Sequence, residues 1–157
     1  MKKVGYLIDP VYLEHRPDSY HPENPQRLKA IDEAVEKSGL KSDLVLIKAE
    51  PASKEDILLN HTEEYYKRVE ATQETEFGNF DPDTYFCKDT YRAAMLAAGG
   101  CIKAGKMVME DELNSAFCAV RPPGHHSEQS YTKGFCIFNN IAILAQRLIS
   151  DYGLKRI

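Results

Sequence analysis

The sequence contains no C-x-x-C pair: its four cysteines, Cys87, Cys101, Cys118 and Cys136, stand 14, 17 and 18 residues apart. That spacing is neither a zinc-finger pattern nor a disulfide framework. No apolar run approaches the roughly 18 residues of a membrane span. Basic residues are not in excess. Twenty Lys plus Arg against 24 Asp plus Glu leave a formal net charge of -4, which argues against a nucleic-acid-binding surface. Internal repeats and low-complexity stretches are absent. Met1 to Ile8 carries two lysines and then an apolar run too short for a secretory signal, and reads better as a first strand. These absences together point to a cytoplasmic protein with reduced thiols. The acceptor-like Asn60-His61-Thr62 is then incidental.

What is present is enough for a core. Hydrophobic residues make up 43% of 157 residues, and by length alone this is one small domain at roughly 100–200 residues per domain. Val4 to Ile8, Leu44 to Ile47 and Ala116 to Val120 are short apolar runs of the kind buried in a covered parallel sheet. Between them lie helical signals. Asn24 caps a helix opened by Pro25, with Leu28, Ile31 and Val35 as its stripe and Gly39 as its stop. Ser53 with Glu55 and Asp56 opens a short helix through Leu59, and another runs from Thr62 to about Glu74 on Tyr65, Tyr66 and Val69. Glu76 to Asp83 is a break of turn formers. From about Thr84 to Met109 the pattern of Tyr91, Ala94, Met95, Ala98 and Ile102 predicts the strongest helix. Its Gly99-Gly100 pair sits inside the helix and not between strand and helix, which argues against a phosphate loop. Ile141, Leu144, Ala145 and Leu148 mark a last helix closing at Gly153, and Leu154 to Ile157 reads as the start of a further strand. The alternation predicts an α/β sheet flanked by helices, whose sites gather beyond the carboxyl ends of the strands.

The loop after the third strand carries the chemistry: Arg121-Pro122-Pro123-Gly124-His125-His126, then Gly134-Phe135-Cys136 and Asn139-Asn140. Imidazole titrates near neutral pH, so adjacent histidines can take a proton from water and return one to a leaving group. The prolines and glycine fix their direction. A surface pair, or a pair satisfied by backbone groups, is the alternative reading.

In this setting the sequence resembles the histone deacetylase family of zinc-dependent amidohydrolases. His21-Pro22-Glu23-Asn24-Pro25-Gln26-Arg27-Leu28 resembles the family's first loop and helix. Asp83-Thr84-Tyr85 with Tyr91 to Gly100 resembles the next block, and Arg121 to His126 with Gly134 to Cys136 the active-site block. The Pro-Pro-Gly-His-His form is similar to the class II and bacterial branch, which includes acetylpolyamine amidohydrolases and acetoin-utilisation-type proteins. The resemblance implies an arginase/deacetylase-type α/β fold and hydrolysis of acetyl-lysine or acetylpolyamine. It implies His126 as general base and His125 as its charge-supporting neighbour. Gly134 and Phe135 would line the substrate tunnel, Asp83 would be a rim carboxylate, and Arg27 would lie near an internal cavity. Each of three has a plainer alternative: Phe135 as core, Asp83 as cap of a helix near Thr84, Arg27 as a solvated helix residue. Cys136 reads as a small buried filler rather than a nucleophile.

The family holds zinc with an Asp-x-His pair and a later Asp, and polarises the carbonyl with a later tyrosine. No D-x-H occurs in this sequence. The expectation is therefore that residues 1–157 are the N-terminal portion of one deacetylase-like catalytic domain, truncated before the zinc-ligand strand, with the zinc of the intact enzyme held by ligands this chain lacks. A non-catalytic fragment or binding module without metal is the competing reading. An unpaired edge at the Leu154–Ile157 strand would make the chain self-associate or need a complementing C-terminal piece; no nucleic-acid or membrane partner is expected.

Overall fold

The computed structural model describes residues 2–157. Three parallel strands form the main sheet in the order β2-β1-β5: β1 is Val4–Leu7, β2 Leu44–Ile47 and β5 Ser115–Cys118. Val4 pairs with Leu44 on one side and Ser115 on the other, and Leu7 with Ile47 and Cys118. Two helices sandwich the sheet. Tyr6 faces α1 (Pro25–Lys37), its hydroxyl donating to Asp32 Oδ1 at 3.2 Å. Leu7, on the opposite face, meets Gly100 of α4 (Thr90–Met109). A second cluster packs α2 (Lys54–Leu58), α3 (Glu63–Glu70), α4 and α5 (Asn140–Tyr152) around Ile57, Tyr65, Val69, Ala98, Phe138 and Ile143.

The helix boundaries follow their caps. Asn24 Oδ1 accepts from Gln26 N–H at 3.0 Å ahead of Pro25. At α2, Ser53 Oγ accepts from Asp56 N–H while the Asp56 carboxylate accepts from Ser53 N–H, a reciprocal capping box. Gly153 closes α5 at φ 65°, a left-handed conformation that costs glycine little. The long helix α4 buries its small face, Ala93, Ala94, Ala97, Ala98, Gly99 and Gly100, as a tightly packed helix requires.

Two expectations are corrected. The segment expected to break and then begin α4 is an antiparallel hairpin, β3 (Phe77–Asp81) with β4 (Thr84–Cys87), and α4 starts at Thr90. Phe77, Phe80, Tyr85 and Phe86 are strand-favouring aromatics, Pro82-Asp83 supplies the turn between the paired Asp81 and Thr84, and Phe80 and Phe86 pack at 4.9 Å. Asp83 is thus a hairpin-turn residue and caps no helix. Leu154–Ile157 forms no strand. A strand needs a partner for its backbone groups, and these residues pair with neither edge of the sheet. The sheet ends instead at β2 on one side and at β5 on the other. Beside the β5 edge, between α4, β5 and α5, lies an apolar groove of about 500 Å³ lined by Cys101, Ala116, Val120, Ile141, Leu144 and Leu148.

Candidate active site

Beyond the carboxyl ends of β1 and β5 the chain forms a cavity of about 460 Å³ lined by Pro22, Glu23, Arg27, Pro123, His125, His126, Gly134 and Phe135. Five of the six expected site residues, Arg27, His125, His126, Gly134 and Phe135, therefore meet at one place from three separate stretches of sequence. Asp83 is not in the lining. It stands one contact away, because His21 Nε2 lies 3.2 Å from the Asp83 carbonyl oxygen while the His21 ring sits edge-on to Phe135 at 4.9 Å.

The two histidines are exposed, with ring centroids 4.2 Å apart. Among the described residues none of their ring nitrogens has a hydrogen-bond partner, so both are free to meet a ligand. Their loop is anything but free. Arg121-Pro122 is a cis peptide. Ile137 N–H donates to Pro123 O at 3.1 Å and His126 N–H to Cys136 Sγ at 3.4 Å, tying the histidine segment to the Gly134–Phe138 segment of the same loop. Burial raises the Cys136 thiol above its ordinary range, which fits the filler reading and not a nucleophile. Gly124 is required because a Cβ there would overlap Phe138 O and Asn140 N. Gly134, at φ 55°, is followed by Phe135 at φ 69°. A left-handed phenylalanine is uncommon and costs of order 1–3 kcal/mol. Here Phe135 N–H donates to Thr84 Oγ1 at 3.2 Å, and the strained turn aims the ring into the cavity wall.

The loop is anchored at both ends by groups to which the sequence alone assigned no role. At its start, Arg121 binds Glu23 through two hydrogen bonds, at 2.5 and 2.8 Å. It also donates to Tyr12 O at 2.7 Å and to the Tyr85 hydroxyl at 2.9 Å. Burial opposes ionisation of Glu23, but the Arg121 hydrogen bond and charge outweigh it and hold the carboxyl below its usual range. His15, wholly buried and stacked on Tyr85 at 4.5 Å, is pushed down to about 3 by burial and stays neutral. At the far end, His61 Nδ1 lies 3.3 Å from Gln129 O, and its Nε2 accepts from Asn139 N–H at 2.9 Å. The Asn139 donor fixes the tautomer with hydrogen on Nδ1. Burial lowers the His61 pKa, partly offset by the carbonyls of Gln129 and Glu128, so the neutral ring is favoured. A signal for these anchors did exist. It is weak and partial: Glu23 and Arg121 each stand beside a proline in a loop, which does not pair them, and His61 has no such neighbour.

No group of three or more His, Cys, Asp or Glu among the described residues could hold a metal ion. The residues of this chain by themselves do not fit the zinc that the resemblance implies. No helix among them is long and apolar enough to cross a membrane.

Residues 21–157 match the histone deacetylase domain, and the chain belongs to that family. A protein named "probable deacetylase" from Archaeoglobus fulgidus is 37% identical over 156 residues, covering 98% of this chain and 43% of its own length. Polyamine deacetylase HDAC10 of Danio rerio is 38% identical over 141 residues, covering 86% of this chain and 21% of its own. The crystal structure of the HDA15 HD domain superposes with a TM-score of 0.91 at 30% identity, over 96% of this chain and 44% of that one. The chain therefore has the α/β fold of that domain over its shared part, and it spans less than half the length of these relatives.

Proposed function

We propose that these residues are the N-terminal portion of a zinc-dependent deacetylase that, in the intact protein, hydrolyses the amide of acetyl-lysine or an acetylpolyamine. The observation that carries the reading is the convergence of His125, His126, Gly134, Phe135 and Arg27 on one cavity beyond the strand ends, in a chain of the histone deacetylase family. His126 takes a proton from the attacking water, whose oxygen adds to the acetyl carbonyl carbon. His125, its ring 4.2 Å away, supports the charge that develops. The C–N bond then breaks as a histidine returns a proton to the leaving amine. Gly134 and Phe135 wall the channel for the extended acyl-amine chain, Asp83 offers its carboxylate at the rim, and Arg27, its side chain largely exposed, borders the same cavity. Zinc belongs to the intact enzyme, with ligands from outside these residues. The protein is cytoplasmic in this reading, with no nucleic-acid or membrane partner. The open edge of β5 is covered by a complementing C-terminal piece or, in its absence, by self-association.

Acetate release from an acetyl-lysine peptide or an acetylpolyamine by the full-length protein tests this. Release that stops with a chelator and falls by about 100-fold or more in His126→Ala supports the proposal. No release, or release indifferent to both, overturns it. The donor set favours a second reading for the 157 residues taken alone, a folded module without metal or turnover. Stoichiometric zinc with chelator-sensitive turnover in that chain would refute it.

A further inference from the structure

Glu23 and Arg121 are the only buried carboxylate and the only buried guanidinium among the described residues, at 1% and 4% exposure. The proposed chemistry uses neither. Burying a charge pair is a poor way to gain stability, because apolar residues of similar volume hold an interior at least as well. What a guanidinium fork adds is direction: two parallel bonds to one carboxylate fix its plane as well as its place.

The plane is held from several sides. Arg121 Nε and Nη2 donate to the two Glu23 oxygens, Nη1 donates to Tyr12 O, and the Tyr85 hydroxyl accepts from Nη2 while donating to Glu23 Oε2 at 2.8 Å. These partners come from the loop after β1, the loop before α1 and strand β4. Other ionisable groups nearby do not compete. His15 Nε2 is 3.7 Å from Glu23 Oε2, but the ring is neutral and its Nδ1 is engaged with Thr90 Oγ1 at 2.8 Å. Arg27 approaches Glu23 only to 3.9 Å and is largely exposed. From Arg121 onward the chain has little freedom: two prolines, a glycine pressed on Phe138 and Asn140, then His125. Glu23 itself lines the same cavity as the two histidines.

We propose that the Glu23–Arg121 pair, seated on Tyr85, is a positioning device that sets the orientation of His125 and His126 against the Pro22–Glu23 wall of the cavity. It acts through the loop and touches no reacting atom. The inference rests on the reading of these histidines as the reacting groups, but its test needs no turnover, so either can fail without the other.

The test is imidazole NMR of the ¹⁵N-histidine-labelled chain, with a melting curve for each variant. Three variants are graded in severity. Tyr85→Phe removes one hydroxyl, Arg121→Lys keeps the charge but loses the fork, and Glu23→Gln keeps the shape but loses the charge. In every variant that folds, the His125 and His126 ring resonances shift or broaden and their titration midpoints move. The His61 resonance, anchored at the other end of the loop, stays in place as the internal reference. In the full-length enzyme the same variants lower kcat with KM little changed. Unaltered His125 and His126 resonances and midpoints in Tyr85→Phe and in any folded charge variant, with only the melting temperature reduced, would overturn the proposal. If both charge variants unfold, Tyr85→Phe decides.

Discussion

β1 and β5 lie side by side in one parallel sheet, in register from Val4–Ser115 to Leu7–Cys118, and neither carries a charge. Their surroundings differ completely. β1 has a strand on each side and a helix on each face, and Tyr6 and Leu7 are fully buried. β5 has a strand on one side only. Phe117 stacks on Tyr6 at 6.0 Å and is nevertheless 50% exposed. Edge strands in soluble proteins usually carry lysine, proline or a bulge against unwanted pairing. Ser115-Ala116-Phe117-Cys118 carries none of these, and an apolar groove opens beside it. The pair teaches that residue type sets what a strand is suited to, while burial is set by the neighbours it finds. β5 is composed as an interior strand and stands at an edge.

Substitutions can break or sharpen that contrast. The largest effect falls on β1. Leu7→Ala empties a site enclosed on every side and should cost about 2–5 kcal/mol, read from the urea midpoint at constant slope. A loss below about 1 kcal/mol would mean that β1 is no more buried than its neighbour.

The end of β5 leads to the Glu23–Arg121 pair, which gives an acid-sensitive contrast with the rest of that strand. The Glu23 carboxyl is held below its ordinary range in the fold. Its contribution to stability is therefore complete above the ordinary carboxylate pKa and is lost as pH falls through the lower folded value. Glu23→Gln should flatten the acid limb of a stability-versus-pH curve. An unchanged limb would show that other carboxylates govern it.

The smallest effect on stability belongs to Phe117→Ser, about 1 kcal/mol or less, since half the ring already meets water. Its main consequence is on association. Light scattering of the unmodified chain should show concentration-dependent self-association that Phe117→Ser weakens. A clean monomer at all concentrations would sink the reading of β5 as an uncovered interior strand.

Much of the fold could be read along the chain because its signals are local. Asn24-Pro25, Ser53 with Asp56, and Thr62 are capping residues that act within three positions of themselves, and each sits where a helix begins; Asn139, which caps α5, reads in the sequence only as part of the histidine loop. Leu44–Ile47 is a strand of those bounds. The β3–β4 hairpin was not read, because its turn formers look alike in a loop and in a tight hairpin; pairing with Thr132 and Phe135 on the distant loop helps decide between them. Leu154–Ile157 failed for the complementary reason. An apolar residue at each end suggests a strand, but no backbone partner stands beside it.

The candidate site divides the same way. Its histidines, glycine and phenylalanine are recognisable because their chemistry and spacing lie within one continuous stretch, from Arg121 to Cys136. Its anchors are not, because Glu23 is 98 residues from Arg121 and His61 is 78 from Asn139.

By itself, then, the sequence determined the starts of α1, α2 and α3, the three apolar strands of the sheet, the family resemblance and which side chains carry an imidazole. Each of these rests on residues near one another in the chain. Only the tertiary structure decided which charges are buried, which strands are left at the edges and how the histidine loop is held. Desolvation and strand pairing depend on neighbours that folding brings from far along the chain.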